Sequence, residues 1–498
     1  MTTSYIVTGI FIYIVISLIT VWFSRQGKAT SMSSYFLGDR SMGGIISALS
    51  YSATTYSAFM MIGLAGLTYR GGVGALGFEI VYFAGVSLVA IFGPRFWRVG
   101  KKYGYVTPSE LLGHRYGERS VAIAAGTTSL VFLIPYSAVQ LSGIGYLLSG
   151  MTDGKITFMT GIIIATTLAI TFSYSAGIRS VTWTDSLQAF VMIIASVLVA
   201  VLIVQGLGGF TAMFRTITER APEMLQVPGP GLFSFKTFLG LTIPWFFFSI
   251  SNPQVSQRLF MPANLVALRR MVLIFLCFGL IYTIVSVIWG FAAFAAFPML
   301  EQPDLATATL LASDYVPPAL GVTVMVGILA AAVSTIDSIL LTLSSIFARD
   351  MYGNMGGSQN DHHQLIISKF VIPVISILAL TFAAAEFSMI AVLSVAASAG
   401  LVVVVPAIVG AFFWTGGTAM GALTSIVGGA VFVVCMYLTG NNLFGLNAGV
   451  LGLPVSVLLF VVVSLVTKPN AASVTAGFID EIPDPVKILQ PRSKISNR

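Results

Sequence analysis

Residues 331–338 read Ala331-Ala332-Val333-Ser334-Thr335-Ile336-Asp337-Ser338. They lie in the middle of an apolar run from about Leu320 to Phe347. A run of that length spans a bilayer with some tilt. Three hydroxyls and a carboxylate nevertheless fall near its centre. Ala331, Ser334 and Thr335 stand at i, i+3 and i+4 and share one helix face. Ser338 continues that face and Asp337 borders it. A carboxylate at membrane depth is costly enough to be read as functional by default. Hydroxyl and carbonyl oxygens are the ligands that hard cations take. The face is therefore predicted to hold a monovalent cation. A structural reading stands beside it, because Ser and Thr in membrane helices also bond to the i−4 carbonyl or join helices.

The surrounding chain decides the class. Of 498 residues, 56% are hydrophobic and 9% charged, where a soluble domain carries about a quarter charged. The apolar runs are long and do not alternate, which predicts an all-α polytopic membrane protein and excludes a barrel. About thirteen spans are read, at 5–24, 43–68, 73–97, 120–149, 156–175, 183–206, 236–257, 271–298, 318–347, 367–385, 389–414, 418–439 and 448–467. The net charge of +7 is no sign of a nucleic-acid partner, since the bases fall in short loops. Cys277 and Cys435 lie in apolar runs and are predicted to be free buried thiols. The three His form no metal-ligand pattern.

Loop charge sets the expected orientation. The first base, Arg25, follows the first apolar run, so that run is read as an anchor with the N-terminus outside rather than a cleaved leader. Of the 25 Lys and Arg, only Arg70, Lys155, Arg215, Arg220 and Lys236 then fall outside. The remainder, Arg258 among them, fall inside, as expected for a cell-membrane protein with a cytoplasmic C-terminus. On this reading no Arg or Lys sits at mid-depth.

Two spans look interrupted. The second carries Ser47, Ser50, Ser52, Thr54, Thr55 and Ser57, and a break is predicted near residues 53–58. At that depth unwound backbone is tolerated only against protein or a cavity. The seventh carries Ser251-Asn252-Pro253-Gln254. Pro removes a donor and disfavours helix at the residue before it, so Asn252 and Pro253 mark either a functional break or a simple helix end. The two spans are five apart and start from opposite sides, the inverted-repeat pattern of secondary transporters. The expected layout is one transmembrane domain over residues 1–470. It has an extra helix at 5–24, repeats at 43–206 and 236–414, closing helices within 418–467, and a tail at 471–498.

Three motifs carry a resemblance. They are Tyr35-Phe36-Leu37-Gly38-Asp39-Arg40-Ser41-Met42-Gly43-Gly44, Gly177-Ile178-Arg179-Ser180-Val181-Thr182-Trp183-Thr184-Asp185-Ser186-Leu187-Gln188, and Ser334-Thr335 followed by Asp350-Met351-Tyr352. In this order, on these spans, the chain resembles the sodium:solute symporter family over about residues 5–470. The first motif is most similar to the pantothenate member. The resemblance implies a leucine-transporter-type fold of two inverted five-helix repeats. It implies Na+ as coupling ion, held by carbonyls of Ala53, Tyr56 and Ala331 and hydroxyls of Ser334 and Thr335. Neutral oxygens suit a singly charged ion that must leave again. By the family pattern Asp337, Ser338 and Asp185 form a second cation or proton site. Asp337 has a plain alternative as a hydrogen-bonding residue, and Asp185 as part of a capping box, Thr182-x-x-Asp185 or Asp185-x-x-Gln188. Where the proline member has a carboxylate in its broken helix, this chain has Thr55. Substrate contacts implied or offered are Tyr136, Gln140, Trp245, Thr54, Thr55 and Ser57, with packing as the alternative role.

The function expected is sodium-coupled import of a small organic solute (pantothenate, a monocarboxylate, or an amino acid such as proline) by alternating access. A proton-coupled carrier of the same fold is the alternative. An embedded enzyme is disfavoured by the absence of HExxH, GxSxG and Walker patterns, and a channel by the single asymmetric site. The expected partners are sodium, the solute and the lipid bilayer, with no obligate protein partner.

Overall fold

The computed structural model describes residues 3–24, 31–57, 59–230, 234–386, 389–440, 443, 445–468 and 472–479. Most of the expected tail, and the loop bases Arg25 and Lys28, lie outside these residues. The described chain is helical, with two isolated β-bridges. Its main helices are α1 (Thr3–Ser24), α2 (Gly44–Thr55), α3 (Phe59–Gly71), α4 (Val73–Tyr103), α5 (Pro108–Tyr116), α6 (Arg119–Met151), α7 (Phe158–Gly206), α8 (Phe235–Phe246), α9 (Leu265–Ala296), α10 (Pro318–Ile346), α11 (Asp361–Ala384), α12 (Ile390–Phe413), α13 (Ala419–Thr439), α14 (Ala448–Val466) and α15 (Ala472–Ile479).

Among the described residues ten helical stretches are long and apolar enough to cross a bilayer, and α2 with α3 forms an eleventh, bent by 48°. The two remaining runs of the sequence are the apolar stretch Phe158–Tyr174 and the interrupted α8. Helix α7 continues through Gly177, whose φ of 59° and ψ of 178° break the helical path. Only glycine holds that conformation without strain. Thr182 sits inside this helix and donates to the Arg179 carbonyl at 2.9 Å. Neither capping box forms, and Asp185 is free to point into the bundle.

The two interruptions differ. Helix α2 ends at Thr55, and Tyr56 takes φ −101° and ψ 75°. A wide-turned stretch, Phe59–Leu64, opens α3. After α8 the chain makes a short turn, Phe248–Ser251, then extends at Asn252 with ψ 110°. It re-coils through Pro253–Ser256 and Gln257–Phe260. The missing Pro253 donor falls at a helix start, where it costs nothing.

Helix α10 lies along α7, and α2 packs on α7 and α9. Close approach needs small residues, as membrane helix interfaces generally do. A Cβ on Gly279 of α9 would meet Tyr56 Oη at 1.9 Å. The outer faces of α1, α7, α11 and α14 expose Phe11, Phe190, Phe370 and Leu458, a surface fitted to lipid. Cys277 and Cys435 are free but exposed on that surface, which corrects the buried placement expected from their apolar runs. Span membership says nothing about which face of a helix a residue occupies.

Candidate functional site

The break in α2 faces the polar stripe of α10. Thr335 is fully buried, and its hydroxyl contacts two carbonyls, Ala331 at 3.0 Å and Ala53 at 3.1 Å. The first is the i−4 bond common to membrane Thr. The second crosses to the end of α2. Three neutral oxygens thus converge where the sequence expected a cation. Tyr56 follows at the break, with its ring stacked on Phe275 and Phe278 at 5.3 and 6.0 Å. Ser334, one residue before Thr335, turns its hydroxyl to Asp185 instead.

Asp185 is the hub of a second cluster. Its Oδ2 accepts from Ser50 at 2.7 Å and from Arg258 Nη2 at 3.3 Å, and its Oδ1 accepts from Ser334. Arg258 also donates to Ser50 and Ser338. Thr54 touches Ser338 at 3.2 Å. The side chains of Arg258 and Asp185 are 5% and 0% exposed, so this is an ion pair buried in protein. The reading of Arg258 as a loop charge is corrected. The re-coiled chain after Pro253 carries it inward, and Gln257 pins that turn by bonding Val106, Ser345 and Thr342 at 2.6–3.1 Å.

Asp337 joins a different group. Its Oδ1 accepts from Ser173 at 2.8 Å, and the Ser173 carbonyl accepts from Tyr35 at 2.7 Å. Hydrogen bonding therefore divides the expected trio: Asp185 and Ser338 meet through Arg258, and Asp337 faces the other half of α7.

The proposed solute contacts separate in the same way. Thr54 and Thr55 bond back to the Ser50 and Tyr51 carbonyls at 3.1 and 2.8 Å. The Ser57 hydroxyl accepts from the Phe59 amide at 3.3 Å. These groups are largely committed to the break itself. Tyr136, Gln140 and Trp245 are fully buried, yet Tyr136 Oη, both Gln140 amide atoms and Trp245 Nε1 have no hydrogen-bond partner among the described residues. Tyr136 points toward Ser57 and Ser394 without closing a bond to either. Trp245 stacks on Phe59 at 4.4 Å and on Phe248 at 5.0 Å, with Tyr82 edge-on at 4.7 Å.

Several residues escaped the sequence reading. The Tyr51, Tyr82 and Tyr282 hydroxyls, the Gln254 amide and the Ser394 and Ser398 hydroxyls are buried without partners among the described residues, as are Tyr56 Oη and Asn252 Nδ2 of two residues that the sequence did mark. Leaving one such group unsatisfied costs about 1–3 kcal/mol. Glu79 on α4 is fully buried, with Oε1 taking Thr283 at 3.2 Å and Oε2 unpartnered. It lies within electrostatic reach of Tyr56 and Tyr82. The rule that flagged Asp337, a carboxylate inside an apolar run, applies equally to Glu79.

The first two motifs also meet in space. Arg179 pairs with Asp39 at 2.9 Å. Asp350 accepts from Thr107 at 2.6 Å, and Arg349 pairs with Glu110 and Asp361.

The fold is shared with a solved Na+-coupled sialic acid symporter at a TM-score of 0.78 and 21% identity, covering 93% of this chain and 98% of that one. Its architecture is the leucine-transporter type. The sodium:solute symporter family profile matches residues 35–429, and the chain belongs to that family. It is 27% identical to the sodium/pantothenate symporter of Escherichia coli, over 88% of this chain and 91% of that one. Identity to a sodium/proline symporter of Staphylococcus aureus is also 27%, over 93% of both. Na+ is the coupling ion of this multi-pass membrane protein, and a small solute is its co-transported cargo.

Proposed function

We propose that this chain imports a small organic solute together with sodium across the cell membrane by alternating access. Its N-terminus is outside and its C-terminus cytoplasmic, following the distribution of loop bases. Sodium is held by the carbonyls of Ala53, Tyr56 and Ala331 and the hydroxyls of Ser334 and Thr335. The observation that carries this reading is the Thr335 hydroxyl set between the Ala331 and Ala53 carbonyls at 3.0 and 3.1 Å. An ion there ties the break in α2 to α10. The ordered break in turn positions Tyr56 and Ser57 beside Tyr136 and Trp245, so ion and solute favour the same occluded state.

Among pantothenate, monocarboxylates and amino acids, the site favours a zwitterionic amino acid such as proline. Arg258 is held by Asp185 and does not serve a substrate carboxylate. The free Glu79 oxygen offers an acceptor for an ammonium, and the aromatic wall of Phe59, Trp245 and Phe248 suits a compact apolar side chain. A substrate carboxylate is met by neutral donors and the helix start beyond the break.

The test is thermal stability of purified protein against proline, pantothenate and short monocarboxylates, in sodium and in potassium. A bound ligand raises apparent stability by mass action. Stabilisation by proline in sodium alone supports the reading. Pantothenate alone refutes the substrate assignment, and equal stabilisation in both salts refutes the sodium site.

A further inference from the structure

Resting on the sodium site above, we propose that the Arg258 guanidinium is a built-in cation. It fills the second cation position, so that each chain binds one sodium ion.

The argument starts from the donor set. Around Arg258 stand the Asp185 carboxylate and the hydroxyls of Ser50, Ser334 and Ser338, with Thr54 behind Ser338. They come from α2, α7 and α10, the same helices that border the Thr335 site. One carboxylate with several hydroxyl oxygens is what a protein offers a hard monovalent cation. Here a side chain takes that position. Arg258 Nη1 binds Ser50, and Nη2 binds Ser338 and Asp185; Nε has no partner.

Charge counting decides between guanidinium and sodium. The guanidinium is paired with one carboxylate, Asp185, inside protein where neither group is more than 5% exposed; Asp337 lies within electrostatic reach of Asp185 but is bonded to Ser173. A sodium ion at the same oxygens would have to displace the guanidinium from Ser50, Ser338 and Asp185 or sit against it as a second buried positive charge, which is unfavourable. A guanidinium stays protonated at any working pH, so the position remains filled throughout the cycle. The charge is also fixed in place. Gln257, its neighbour, is tied to α10 through Thr342 and Ser345 and to the Val106 carbonyl. Asp337 offers no alternative second site with this cluster, because its hydrogen bond goes to Ser173.

Arg258 and the sodium ligands are also linked chemically. Ser334 belongs to the proposed sodium set and donates to the same carboxylate that holds Arg258. Removing the guanidinium exposes a carboxylate and hydroxyls already arranged around a cation-sized gap.

The experiment is saturation binding of radioactive sodium, without solute, to purified protein. Wild type is expected to bind one ion per chain. Arg258→Ala is expected to bind two, Arg258→Lys one, and the Arg258→Ala, Asp185→Asn double variant one. Two ions on wild type overturn the proposal while leaving the Thr335 site standing. A folded Arg258→Ala variant that still binds one ion also overturns it. No sodium bound by wild type removes the Thr335 site and this proposal with it. Where Arg258→Ala fails to fold, the wild-type count decides alone.

Discussion

Replacing Thr335 by Val keeps the side-chain shape and removes only the hydroxyl. That hydroxyl contacts Ala331 and Ala53 at 3.0 and 3.1 Å from a fully buried position. Without an ion, the loss amounts to one shared hydrogen bond, roughly 0.5–1.5 kcal/mol. With the ion bound the loss is larger, because a polar ligand to a charge contributes roughly 1.5–3 kcal/mol. The affinity change is the difference between these losses, about 1–1.5 kcal/mol, so at about 1.4 kcal/mol per tenfold sodium affinity is expected to fall about 5- to 12-fold. Thr335→Ser retains the oxygen and is expected to stay within about 3-fold of wild type. The assay is sodium titration of thermal stability at constant ionic strength with choline replacement. Coupling adds a second signature: the solute loses affinity at low sodium and regains it when sodium saturates. Thr335→Val with wild-type sodium affinity would refute the reasoning.

Three further outcomes test the packing and the ends of the molecule. Gly85→Ala puts a Cβ 2.0 Å from the Phe246 carbonyl oxygen and 2.4 Å from its Cα. Backbone does not yield cheaply, and a loss of about 1–3 kcal/mol or more is expected in thermal unfolding, whereas Gly77→Ala, 3.4 Å from a Phe238 ring carbon, leaves stability unchanged. Asp304, between α9 and α10, accepts from the Ile390 amide at 3.1 Å, and burial pushes its carboxyl up from 3.8 to about 6. The folded protein therefore keeps a proton that the unfolded chain releases. That contribution is complete below about pH 4, is lost as pH rises through 6, and is worth at most about 3 kcal/mol. Asp304→Asn is expected to flatten melting temperature against pH across that window, and an unchanged slope contradicts the assignment. Phe478 on α15 is fully buried, stacked on Tyr103 at 5.7 Å and near Phe412 at 6.1 Å. Phe478→Ala is expected to release α15 to limited proteolysis while the transmembrane bundle stays resistant; equal protection in both proteins would show that other contacts hold the helix.

What the sequence determined alone was whatever depends on neighbours along the chain. Apolar runs of membrane-spanning length marked the spans, because backbone polar groups in lipid must be satisfied within their own segment. The hydroxyl-rich second span and Asn252-Pro253 announced interruptions through local chemistry. Thr335 stood out because a polar group at that depth needs a reason. The tertiary structure decided the partners. A base shortly after a span reads as a loop charge until the turn after Pro253 is seen to carry Arg258 to Asp185, 73 residues away in sequence. The split between Asp185 and Asp337 depends on which side of α10 each half of α7 occupies. Glu79 and the hydroxyl-bearing rings of Tyr51, Tyr82 and Tyr282 come near one another around Tyr56 only once α2, α4 and α9 are packed. Side-chain periodicity reports which face of a helix is polar, but an ion pair or a binding wall is set by what that face meets. Here that depends on where two broken helices change direction.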